Sequence, residues 1–141
     1  MRTRFMILGI LVCIQVGAPV LADQDLTVTS VMKASTTISG QTIEYPKTEK
    51  AEITALMIVL QPGKESGPHL HPMPTYVHVL EGTLTVEAED GSRQTFEAGK
   101  GFLESVNVSH NGKNLGDMPV KFLVVFVGER GQPNVVRPQK K

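Results

Sequence analysis

The stretch GKESGPHLHPMPTYVHVLEG, running from Gly63 to Gly82, holds three of the four histidines in this chain of 141 residues. One residue separates His69 from His71. On an extended strand residues i and i+2 project from the same face, about 7 Å apart along the chain. An imidazole nitrogen sits about 2.0–2.1 Å from a bound metal ion, so two rings at that spacing can converge on one ion. A third ligand must then come from a neighbouring strand, and His110 is the remaining candidate with suitable surroundings. The alternative is that His69 and His71 are exposed loop residues beside Pro68, Pro72 and Pro74. His78 has odd parity relative to Thr75. If Thr75 points inward, His78 points outward, and Tyr76 shares its side.

Outward from this stretch, short apolar runs alternate with turn residues, and no segment reads as a long amphipathic helix. Strands are expected at 27–33, 37–43, 52–61, 76–80, 82–88, 94–97, 101–105 and 120–127. Pro46, Pro62-Gly63 and Glu89-Asp90-Gly91 mark turns. Gly occurs 13 times and Pro nine, which suits many short strands joined by turns. This pattern predicts an all-β sandwich, barrel or jelly roll. Met57, in the most apolar run, is expected in the core, and the chain from about 128 onward is expected to be a poorly ordered tail.

The second informative stretch, GSRQTFEAGKGFLESVNVSHNGKN, runs from Gly91 to Asn114 and places His110 and Asn114 four apart. Together the two stretches resemble the paired motifs of the cupin superfamily. The first family motif reads G-x5-H-x-H-x3,4-E-x6-G, and the second ends in H-x3-N. The resemblance spans about Glu52 to Val127. It implies a cupin-type double-stranded β-helix, or jelly-roll barrel, with a metal inside its mouth held by His69, His71 and His110. It also implies pairing of two copies through edge or N-terminal strands, with residues 26–33 available for that role.

Two positions depart from the family pattern. Thr75 stands where the family places a ligating Glu, and a neutral hydroxyl is a poor ligand for a divalent cation. Glu97 stands where the second motif has Pro. Glu104 is the candidate replacement carboxylate, as a ligand or a general base. It shares strand parity with Phe102, and a buried carboxylate needs a cation or a donor. The other reading of Glu104 is a strand-end residue turned to solvent or paired with Lys100. Thr75 and Met73 are further pocket positions, Met73 because it lies between two prolines just past the histidine pair. Asn114 is expected to fix a loop through side-chain hydrogen bonds.

Residues 1–22 read as a cleaved export signal. Arg2 and Arg4 precede a nearly continuous apolar run from Phe5 to Leu21, and Val20 and Ala22 are small residues suited to processing before Asp23. The run is shorter than the roughly 20 apolar residues that a membrane-spanning helix needs. Cleavage leaves one domain, 23–141, with 12 basic and 14 acidic residues and no cysteine, in a periplasmic or secreted setting with no membrane span. The balanced charge offers no basic stripe for nucleic acid. Without thiols, a metal site must use histidine and carboxylate, and thiol catalysis is excluded. The ion would be a divalent transition metal: iron, manganese, nickel, copper or zinc. The expected partner is a small organic molecule. It would be handled by a dioxygenase-like or other metal-dependent enzyme, or held by a non-catalytic binding or sensing module of the cell envelope.

Overall fold

Val, Ile, Phe and Thr are concentrated in short runs between turn residues, and in the computed structural model, which describes residues 26–138, these runs become strands. They are β1 (Ala51–Leu60), β2 (Thr75–Glu81), β3 (Thr83–Ala88), β4 (Arg93–Glu97), β5 (Gly101–Leu103), β6 (His110–Lys113) and β7 (Val120–Glu129). No helix occurs among the described residues. One sheet has the order β1-β7-β2-β5 and the other β4-β3-β6, with every ladder antiparallel. The two sheets face each other as a double-stranded β-helix.

Period-two burial builds the interior. On β7, Val120, Phe122, Val124 and Phe126 point inward and are buried, as are Thr75, Val77 and Val79 on β2. Leu84 and Val86 of β3 meet them from the second sheet, and Phe96 stacks on Phe102 with ring centroids 3.7 Å apart. Each such side chain contributes about 1.5–3 kcal/mol when fully buried. The turn from β2 to β3 requires Gly82. Its φ is +76°, and a Cβ there would lie 2.9 Å from the Pro119 carbonyl oxygen.

Several details differ from the sequence reading. Residues 27–33 form no strand; Leu26 and Val28 are exposed, and this stretch has no ladder partner within the described chain. The run 37–43 reduces to a single bridge, Thr36 with Thr42, because the chain turns at Gly40 with φ +82°. Met57 is 55% exposed and not in the core. The inward face of β1 carries Leu56, Ile58 and Leu60, so Met57 takes the opposite parity. Strand β6, in a stretch where the sequence delimits no strand, pairs with β3 from Ala88–His110 to Thr85–Lys113. The expected poorly ordered end is instead held on the barrel by backbone bonds between Leu70 and Val136. The proposed signal, residues 1–22, lies outside the described residues.

Asn114 closes the loop before β7. It is fully buried, its Nδ2 donates to the Leu60 and Met118 carbonyls, and its Oδ1 accepts from Gly116 N–H. Asn114→Ala should leave these groups unsatisfied and cost about 2–4 kcal/mol, read as a lower urea midpoint at unchanged slope. A loss under about 0.5 kcal/mol would mean that the loop holds without it.

Candidate metal centre

Local sequence places His69 and His71 on one face of an extended segment. The residue before a proline is confined to extended backbone, which applies to His71 before Pro72. Leu70, between the two histidines, faces the other way and pairs with Val136, while His71 bridges Val106. His110 opens β6 directly opposite His69. The two exchange backbone hydrogen bonds of 2.9 and 2.8 Å, and their ring centroids are 4.6 Å apart. The His71 centroid lies 4.9 Å from that of His69 and 5.1 Å from that of His110, and the ring rests against Phe126. One nitrogen of each ring lies within 4.8 Å of the other two, and all three residues are buried.

The orientation of each ring is fixed from behind. His69 Nδ1–H donates to Gly67 O at 2.7 Å, His71 Nδ1–H to Asn134 O at 2.7 Å and His110 Nδ1–H to Val108 O at 3.0 Å. A carbonyl can only accept, so each Nδ1 carries the proton and each neutral ring keeps its lone pair on Nε2. Carbonyl-anchored imidazoles of this kind are the usual support of metal-binding histidines.

Glu104 enters the same space. Its N–H donates to Thr75 O at 2.9 Å, which puts it across the ladder from the position where the family motif carries its carboxylate. Its carboxylate oxygens lie 2.9 Å from His71 Nε2 and 3.4 Å from His110 Nε2. The longer contact is poorly aligned, so His110 Nε2 is a buried nitrogen with no hydrogen-bond partner. Three Nε2 atoms that converge, one of them without a hydrogen-bond partner, and a carboxylate 2.9 Å from a second, a contact that two acceptors make only with a proton or a cation between them, fit a divalent transition ion. His78 Nδ1 is also buried without a partner, but it lies on the opposite face of β2, stacked on Tyr76.

Burial alone would raise the Glu104 pKa, but the hydrogen bonds and positive charge that His110 and His71 supply in their protonated forms outweigh it and hold the carboxyl down at about 2. Burial lowers the pKa of His69, and the neighbouring His110 and His71 add to this against the Gly67 carbonyl. Burial would also lower His110, but the Glu104 charge and the Val108 carbonyl prevail and its pKa is raised. The carboxylate therefore stays ionised, and His69 stays neutral to lower pH than a free imidazole.

Thr75 and Met73 are the two other candidate pocket positions. Thr75 is fully buried and its hydroxyl donates to Met73 O at 3.1 Å. Met73 belongs to the core, where Gly128 leaves room for its side chain. Neither lines the cavity of about 190 Å³ that opens beside His69, His71 and Glu104 between the two sheets. Its walls are mostly apolar, with Ile58, Phe122, Val124 and Phe126 from one sheet and Leu84 from the other. Sequence reasoning missed Ser66, Val135 and Arg137, which also line it. The five residues between Gly63 and His69 and the cationic tail were the signals available.

Known proteins agree with this architecture. Residues 56–126 match the profile of the cupin domain. A search of curated proteins found no significant match. A protein from Bacillus halodurans is similar with a TM-score of 0.51 at 19% identity, over 58% of this chain and 67% of its own. A conserved protein with a double-stranded β-helix domain from Klebsiella pneumoniae gives a TM-score of 0.51 at 20% identity, over 66% of this chain and 78% of its own. Oxalate decarboxylase from Lactobacillus farciminis gives 0.51 at 19% identity, over 67% of this chain but 33% of the decarboxylase. At these identities the likeness is one of fold. With half of its length matching the cupin domain and its strands closed into the double-stranded β-helix, the chain belongs to the cupin family.

Proposed function

We propose that this cupin is exported and holds one divalent transition-metal ion between His69, His71, His110 and Glu104, using it as an oxygenase on a small, partly apolar organic molecule. The convergence of three Nε2 lone pairs, each ring anchored by a carbonyl behind it, carries the reading. The ion (iron, manganese, nickel, copper or zinc) supplies Lewis acidity and, where redox-active, electron transfer. The chain supplies the surroundings. Phe122, Val124 and Phe126 exclude water and hold an apolar body, Glu104 contributes fixed negative charge, and the three imidazoles are held in one tautomer.

A second reading, a non-catalytic binding or sensing module, draws on the scarcity of proton-handling groups. Besides the histidines and Glu104, the polar side chains lining the cavity are Ser66 and Arg137. Oxygen uptake separates the two. Iron- or copper-loaded protein given enol, enolate or phenol compounds should consume O2, and His69→Ala/His71→Ala should abolish the uptake. Tight retention of such a compound without uptake would favour the binding module and sink the oxygenase.

Export rests on residues 1–22. A homodimer is supported by the apolar edge strand β1, where Ile53 is 68% and Val59 52% exposed.

A further inference from the structure

Residues 130–138 leave β7 and run back across the barrel beside the histidines. Leu70 and Val136 exchange two backbone hydrogen bonds of 2.9 Å each. Asn134 O accepts the hydrogen bond from His71 Nδ1–H, and Arg137 Nη1 donates to Ser66 O at 2.9 Å. With Val136 committed to Leu70, its neighbours Val135 and Arg137 turn to the other side and line the cavity that contains His69, His71 and Glu104.

Arg137 is the only lysine or arginine among the lining residues. Its guanidinium forms no ion pair with a carboxylate among the described residues, and only Nη1 is engaged, by a carbonyl. The remaining N–H donors form a planar fork suited to two parallel bonds with a carboxylate. The rest of the lining is mainly aliphatic and aromatic. The volume, about 190 Å³, is below the roughly 300–1,000 Å³ of pockets for drug-sized ligands. A largely apolar chamber, with the Glu104 carboxylate at its histidine end and one cation without a carboxylate partner at its rim, favours a small molecule with an apolar body and a single negative head directed at the rim.

We infer that Arg137 reads the carboxylate of a small organic acid whose apolar body lies between Phe122, Val124 and Leu84. This rests on the cavity being the ligand site proposed above, and it holds with or without the ion. It makes the C-terminal segment a part of the site, with Asn134 positioning His71 and Arg137 selecting the ligand.

Two matched probe pairs test it: butanoate with butanamide, and benzoate with benzamide. Each is titrated calorimetrically into the full chain, both metal-loaded and chelator-treated. Wild type should bind each acid about tenfold or more tightly than its amide, as expected for a charge-assisted pair. Arg137→Gln should erase the preference, and Arg137→Lys, which keeps the charge but not the fork, should retain part of it. Equal binding of acid and amide by wild type, no binding of any of the four, or a preference that survives Arg137→Gln would overturn the assignment. Elemental analysis of the same samples reads the metal separately. A wild type that takes no metal yet keeps an Arg137-dependent preference contradicts the metal centre and supports the role of Arg137.

Discussion

Replacing His69 and His71 together by alanine should reduce bound metal from about one ion per chain to less than about a tenth of that. The double variant keeps only His110 and Glu104, too few to hold an ion against water. Its affinity should fall by more than the roughly 10–100-fold that loss of a supporting partner costs. The fold should survive, because the bonds that place this segment run through the backbone: His69 with His110, and Leu70 with Val136. Circular dichroism therefore serves as the control. Unchanged metal content in a folded double variant would show that the ion sits elsewhere.

Glu104→Gln should weaken metal binding by about 10–100-fold while keeping the shape of the side chain. It should also change how the metal-free protein responds to pH. The Glu104 charge raises the His110 pKa above its ordinary value of 6.5. The stability that His110 draws from this pairing is fully present below 6.5 and is lost as the pH rises through the raised value. Glu104 itself, held at about 2, contributes stability above 4.5 that is lost only as the pH falls through 2. His69, with a lowered pKa, acts in the opposite sense to His110 by disfavouring protonation below 6.5. The difference in melting temperature between wild type and Glu104→Gln largely removes the His69 contribution. That difference should shrink as the pH rises above 6.5, and the His110 titration followed by NMR should move down in the variant. An unmoved His110 titration would mean that Glu104 does not act on that ring.

The histidine pair was legible because its information is local. Spacing alone puts His69 and His71 on one face, and His110 was the remaining histidine with motif surroundings. Glu104 was legible only as far as strand parity goes, since a strand-end carboxylate can face either way until its ladder partner, Thr75, is known. The carbonyls that orient the rings left no trace, because a backbone oxygen carries no residue-type signal. Asn134 accepts from His71 across 63 positions in the chain. The return of residues 130–138 was hidden for the same reason: Pro133 and Pro138 suggest an end, while its anchors at Leu70 and Ser66 are distant in sequence. Met57 was misplaced because both faces of β1 are apolar, so hydrophobicity alone could not identify the inner one. The segment 27–33 has strand composition, but a strand also needs a neighbour.

The central claim is that the three histidines and Glu104 hold a transition-metal ion. Elemental analysis of the protein purified from its native compartment, followed by titration with each candidate metal, tests it most directly. The account predicts about one transition-metal ion per chain. Protein that carries less than about a tenth of an ion, and takes up no iron, manganese, nickel, copper or zinc on titration, would contradict it.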